Sequence, residues 1–398
     1  MHRSGLGLAL VATLASTACT VVTAPVVVDG GTADGGPTPF AFTPSNLNLV
    51  GIDVSNVVDE DLASDCELDT GTTPTAGGTC LKSPVETILT QSDGSKIHVL
   101  IVKSLKIEPA AHLSVNRPAA GLPLAIVALV DMTILGTIDV HAMGDQSYGG
   151  GFESTQNNQK GAGPGGGPAA TGVGGTTMGA GAGGGSYCGK GGQGALEANA
   201  AVPAGAATAP YGSPEIIPLV GGSSGGSGSF GAGAGGGAVQ LVAFGQFSMG
   251  AGSYINVGGG GGQPAVSSNP GDDSGGGGSG GSILIEATGV QIAGALAANG
   301  GGGGGVSASG HDGTPDTNRA AGGAMAGLGA GGAGGASGNN DGTTPASVDP
   351  GPVGGGGGGV GRIRINTRSG SAVLDSAKLS PAPGNPLGSC MSVGSVHP

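Results

Sequence analysis

The chain has 398 residues, of which 93 are glycine and 25 proline, while only 10% are charged. Glycine and proline at about 30% lie in the range of low-complexity chains, yet the scarcity of charge and a mean hydropathy of +0.16 exclude the charge-rich composition of ordinary disordered segments. A formal net charge of −13 excludes nucleic acid as a partner, because phosphates require a basic surface, and excludes purely electrostatic docking on anionic lipid.

The N-terminus reads "MHRSGLGLALVATLASTACTVVTAP". Arg3 supplies a short positive region, and Leu6–Leu14 is an apolar stretch too short to span a bilayer as a helix. Small residues Ser16, Thr17 and Ala18 lead to Cys19. This resembles a bacterial lipoprotein signal, in which small residues precede a lipidated cysteine. The resemblance implies a signal peptide over 1–18, lipid on Cys19 and a membrane as partner through that lipid. Ser16 stands where that family usually has leucine, and Ser16-Thr17-Ala18 also fits ordinary cleavage after Ala18, which would give a secreted protein. Residues 19–40 carry Gly, Pro, Thr and Asp without periodicity, the pattern of a flexible or extended tether.

Five cysteines are present, Cys19, Cys66, Cys80, Cys188 and Cys390. With Cys19 lipidated, an even number remains for disulfides in an exported chain. Cys66 and Cys80 bracket the turn-rich loop "ELDTGTTPTAGG", which a local disulfide would close. Cys188 and Cys390 are left to pair with each other or to stay free, and their pairing is the expectation taken forward. No cysteine or histidine spacing points to zinc.

Residues 41–96 read as a β-rich N-terminal cap containing that loop, with a hairpin-type turn at Ser92-Asp93-Gly94-Ser95. From Ile97 a pattern recurs: three apolar-x-apolar pairs per unit of roughly 20–25 residues, separated by small-residue corners. The pairs are Val99/Ile101, Leu105/Ile107 and Leu113/Val115, then Met132/Ile134 and Ile138/Val140. Next come Val239/Leu241, Phe247/Met249 and Ile255/Val257, then Ile283/Ile285, Val290/Ile292 and Leu296/Ala298. A degraded copy follows with Ile363/Ile365 and Val373. Gly136, Gly252 and Gly294 fall between second and third pairs. Alternate residues share one strand face, and one unit cannot bury its pairs alone, so the units must stack. The fold expected is all-β, a parallel β-solenoid or β-helix-like core of about five coils over 97–374, followed by a C-terminal tail over 375–398. Leu124–Val130 is apolar on both parities, which predicts cover on its outer side as well.

Glycine-rich insertions, at about 144–237, 258–281 and 300–361, each enter after a third pair. Loops at one phase of a stacked array emerge on one side. Two readings of these insertions stand open. Glycine loses the most entropy on ordering, which favours mobile loops. Extended glycine chains also lack Cβ, so they can lie close and exchange N–H···O and Cα–H···O bonds. Tyr211–Gly222 is an apolar island expected to dock on the core.

Chemical motifs are few. "CGKGG" around Lys190 lacks the spacing of a phosphate loop before a helix. Asp272-Asp273, Asp312, Asp316, Asp341 and Asp349 lack the period of a calcium array. Lys103, Lys106 and Glu108 on one unit and Asp139 with His141 on another are too sparse for the carboxylate sets of polysaccharide lyases and hydrolases. His98, His112 and His141 read as surface strand residues. No catalytic residue, cofactor or metal is expected.

The units "GGSILIEATGVQIAGALAANGGGGG" and "GGGAVQLVAFGQFSMGAGSYINVGGGGG", with the closing "GGGGGGVGRIRIN", resemble glycine-rich cell-surface proteins of exporting bacteria, many of them lipoproteins. The resemblance covers about Ile97 to Asn366 and implies an envelope-attached β-rich protein, without catalytic residues or a substrate. The function expected is an exported, lipid-anchored structural or adhesive protein touching envelope or extracellular polymers. The alternative is a carbohydrate-binding or polysaccharide-cleaving β-helix, for which a pit of acidic and aromatic side chains on one sheet would speak.

Overall fold

A computed structural model describes residues 40–74, 80–116, 121–171, 179–197, 204–265, 273–324, 329–347, 353–384 and 389–397. Cys19, the expected signal peptide and all but the last residue of the expected tether lie outside them. The described residues contain no helix.

The strands in chain order are β1 (Asp59–Leu62), β2 (Cys66–Leu68), β3 (Val85–Thr90), β4 (Lys96–Val102), β5 (Ser104–Ile107), β6 (His112–Val115), β7 (Leu124–Ala128) and β8 (Met132–Ile134). They continue as β9 (Thr137–Asp139), β10 (Ala238–Met249), β11 (Tyr254–Asn256), β12 (Ser282–Ile292), β13 (Ala295–Ala297), β14 (Arg362–Thr367), β15 (Lys378–Ser380) and β16 (Met391–Ser395). Two sheets result. One has the main order β1-β5-β8-β10-β12-β14-β16, with β4 and β7 joined through β10; the other runs β2-β6-β9-β11-β13-β15. All pairings among these strands are parallel except the β3–β4 hairpin. This is an all-β, parallel, β-helix-like core. It extends beyond the units visible as repeats: β1 and β2 add a rung at one end, and β15 and β16, within 375–398, continue both sheets at the other.

The apolar pairs meet between the sheets. Leu105, Ile107, Met132, Ile134, Phe247, Ile255, Ile285, Leu296 and Ile365 all belong to one buried cluster. Two assignments are corrected. In β4, Leu100 and Val102 face this core, in register with Ile126 and Ala128 of β7, while Val99 and Ile101 face the opposite side. The sequence "KIHVLIV" is apolar on both parities, so pattern alone could not choose. Val373 is 51% exposed; its backbone bonds Val290 and Ile292, and Ala372 and Leu374 pack inward instead.

A second buried cluster lies on the outer face of the ten-stranded sheet. Val99, Ile101, Ala125 and Val127 are covered there by Phe42, Leu47 and Leu49 from the start of the described chain and by Ile216 and Leu219 of the apolar island. Glu286, outward as the alternation requires, is buried beneath this cover. Its carboxylate accepts from Ser45 N and Oγ, Gln240 Nε2 and Asn366 Nδ2 at 2.7–3.1 Å, which fixes the cover by a satisfied buried charge.

The insertions leave after β9, β11 and β13 and return at β10, β12 and β14, so they emerge together. They are ordered. In the run 273–281, Gly275 and Gly278 donate to Gln263 and Gly260, Gly276 and Ser279 to Gly226 and Ser223, and Gly277 and Gly280 to Gly356 and Gly359, at 2.9–3.0 Å. The carbonyls repeat the rule: residues 275 and 278 accept from Gly304 and Gly301, 276 and 279 from Gly233 and Gly236, and 274 and 277 from Ala182 and Gly185. Every third residue therefore faces the same neighbouring segment, and no bond stays within the run. That is the signature of an extended helix with three residues per turn, the polyproline II class. The run 353–361 follows the same rule, with Gly355 and Gly358 donating to Gly304 and Gly301, Gly356 and Gly359 to Ala182 and Gly185, and Gly357 and Val360 to Thr343 and Asn340. The glycine runs form a bundle of such helices with near-hexagonal packing. Both central runs are buried throughout.

Two disulfides are present. Cys66–Cys80 closes the loop in the cap, with Cα atoms 5.5 Å apart. Cys188–Cys390, Cα atoms 5.6 Å apart, ties the glycine bundle to the segment entering β16. Disulfides point to maturation in an oxidising compartment.

Candidate functional site

The residues weighed for chemistry fall on different surfaces. Lys103 and Lys106 lie on or beside β5 in the ten-stranded sheet, paired with Asp59 and Glu108 respectively. Asp139 ends β9 in the other sheet, so the two sets do not converge. His98 is fully buried rather than on the surface: Nε2 meets Glu86 Oε1 at 2.9 Å and Nδ1 lies 3.2 Å from Gly71 O. Cover of β4 on both faces accounts for this. Among the described residues, no three His, Cys, Asp or Glu side chains gather as a metal-binding set.

The outer face of the six-stranded sheet is different. Parallel pairing puts His112, Thr137 and Tyr254 in one row across β6, β9 and β11, and Ser114, Asp139 and Asn256 in a second. Each of these residues precedes or interrupts an inward-facing pair, so alternation alone turns it outward. His112 Nδ1 lies 2.7 Å from Thr137 Oγ1, and His141 Nδ1 lies 2.5 Å from Asp139 Oδ1. With His112, Ser114, Thr137, Asp139, His141 and Tyr254, residues Val115, Met143 and Tyr148 line a pocket of about 240 Å³; Asn256 is buried and lies outside it.

Electrostatics set the protonation of its walls. Burial alone would lower the pKa of His141, but the hydrogen bond that its imidazole donates to Asp139 and the charges of Asp139 and Asp312 outweigh it and hold the imidazole above its ordinary value. Burial, aided by the Asp139 charge and opposed by a hydrogen bond with Thr137, raises the Tyr254 phenol, which keeps it a neutral hydroxyl. The pocket borders the glycine bundle: Asp312 Oδ1 accepts from Gly144 N at 2.9 Å and Gly261 N at 2.7 Å, tying three insertions together beside His141.

Asp139 and His141 are legible in the sequence as a pair; Tyr254 and Tyr148 are not, although aligning the residue before each third pair lines up His112, Thr137 and Tyr254. A second site that sequence missed is structural. Tyr187 stacks on Tyr211 with centroids 4.6 Å apart, and the Arg362 guanidinium lies 5.6 Å from the Tyr187 ring centre while donating to Tyr211 O at 3.0 Å. This joins the apolar island, the bundle and the start of β14. Burial pushes the Tyr187 phenol up to about 12.

No known protein family, curated protein or solved structure matches this chain.

Proposed function

We propose that the protein is an exported, lipid-anchored component of the cell surface with a structural or adhesive role in the envelope or extracellular matrix, and that it is not an enzyme. The observation that carries this reading is the glycine bundle. The described glycine runs of the long insertions are hydrogen-bonded to one another and joined to a parallel β core, an investment in shape and durability. The resemblance to glycine-rich bacterial surface proteins, the signal-like N-terminus ending at Cys19 and the two disulfides support the same reading. On it, the core is a β-solenoid, lipid on Cys19 attaches the chain to a membrane, and residues 20–40 hold the folded body away from it.

The test is metabolic labelling with a palmitate analogue in cells expressing the native chain or Cys19→Ala, followed by protease treatment of intact cells. The expected result is label and membrane attachment only in the native chain, with removal of the folded body from the cell exterior by protease. Membrane attachment unchanged in Cys19→Ala would refute the anchor, and full protection in intact cells would refute surface display. A second reading, a carbohydrate-binding or polysaccharide-cleaving β-helix, draws on one specific observation, the pocket on the six-stranded sheet that combines a carboxylate with tyrosine side chains; its binding half is compatible with an adhesive role.

A further inference from the structure

The pocket over β6, β9 and β11 has the size and lining of a ligand site. At about 240 Å³ it lies below the ~300–1,000 Å³ typical of pockets for drug-sized molecules, which limits the occupant to about one six-membered ring. Its polar positions form a grid set by the sheet: His112 beside Thr137, and Ser114 beside Asp139, on adjacent strands. Neighbouring strands lie ~4.8 Å apart and alternate residues ~6.7 Å apart along a strand. Polar groups so spaced can meet several hydroxyls around one pyranose ring. Asp139 Oδ1 is held by His141, which orients the carboxylate and leaves Oδ2 to accept from a ligand hydroxyl.

The remaining lining suits the other half of such a ligand. A pyranose presents apolar C–H faces as well as its hydroxyl rim. Tyr254 and Tyr148 offer ring surface, and Val115 and Met143 add aliphatic surface. The rows are borne on strands of a packed core, which preorganises them. An anionic ligand would meet Asp139, with Asp312 close by, in a chain of net charge −13.

We propose that this pocket binds a neutral pyranose residue of a surface or matrix glycan. Tyr254 and Tyr148 take its C–H face, and Asp139, Ser114 and His112 take its hydroxyls. The proposal deepens the adhesive part of the function above and rests on it only for biological setting. A single-sugar site is weak, with a dissociation constant on the order of 1 mM, and many anchored copies facing a repeating glycan would multiply that affinity through avidity.

The experiment uses full-length protein in a detergent without a sugar headgroup. Saturation-transfer NMR is recorded with methyl β-glucopyranoside, methyl β-galactopyranoside and methyl α-mannopyranoside, and with glucuronate as the anionic counterpart. Saturable binding of at least one neutral glycoside is expected, with the strongest transfer to ring C–H protons and weaker binding of glucuronate. Tyr254→Ala and Asp139→Asn should each weaken it about tenfold or more in protein that still melts cooperatively. Asp139→Asn retains side-chain volume and keeps the test decisive if Tyr254→Ala unfolds. Absence of saturable binding for all three glycosides, equal binding of glucuronate, or undiminished binding in folded Asp139→Asn would overturn the proposal. Sugar binding without palmitate labelling would remove the anchor and leave this site standing; labelling without sugar binding would do the reverse.

Discussion

Gly278 shows what glycine does in this molecule. Its φ is not in the left-handed region, so backbone freedom is not the reason for it; a Cβ there would sit far inside contact distance of Ala234 O. Gly301 and Gly358 meet Gly260 O and Gly278 O in the same way. Overpacking a rigid interior costs ~1–3 kcal/mol or more, and here the opposing atom is backbone that cannot rotate away. Gly278→Ala should therefore lower stability by about 3 kcal/mol in urea denaturation, whereas Gly338→Ala should change it by less than ~1 kcal/mol, since a Cβ on Gly338 meets open space. Equal effects of the two substitutions would refute the close-packed bundle. His141 supports a pH prediction. Its folded pKa is raised chiefly through Asp139, with Asp312 contributing. Its stabilisation is therefore complete below the unfolded value near 6.5 and is lost as pH rises through the folded value. Replacing His141 by Gln should flatten the stability profile across that window and leave the rest of the curve unchanged.

At the scale of elements, the period-2 pairs placed the inner face of most strands correctly because a strand with one buried face must alternate. The failures share a cause. β4 is buried on both sides, so its apolar residues carried no parity; Val373 lies where the pattern had degraded to a single residue. The cover over Glu286 was illegible because its contacts join residues distant in sequence, Ser45 and Glu286 by 241 positions. That cover is open to test. Glu286→Ala leaves the Ser45, Gln240 and Asn366 donors without their buried acceptor, at a cost of about 3 kcal/mol. Amide exchange should rise over residues 42–49 well before it rises in β12. Uniform loss of protection across β12 and the cover would mean that the carboxylate supports the sheet rather than the cover. The pocket was half legible: sequence proximity exposed Asp139 and His141, while Tyr254, more than a hundred residues away, joins them only through strand register.

Residues 39–398 form one compact unit, in which the β core and the glycine bundle share three pairs of crossings, and Cys188–Cys390 closes its longest disulfide loop, with a sequence separation of 202. In the chain-entropy model a loop of that length contributes about 5 kcal/mol. Cys390→Ser should lower the urea midpoint substantially, and Cys80→Ser, which opens a separation of 14, should do so less. A reversed order would mean that native strain rather than loop length governs the bonds. Order in the glycine runs could not be read from composition, because a run of glycine has no side-chain pattern and its bonds lie between runs rather than within them. The central position of 353–361 has a further consequence, for assembly in time. This run donates to segments at 182–185, 301–304 and 340–343, yet it is the last of the glycine runs to be synthesised. The earlier runs must wait for it, bearing unpaired amides in the meantime. Closing such distant contacts is slow, so maturation should show an early β-rich intermediate and a late, single cooperative step in which the bundle closes around its final chain.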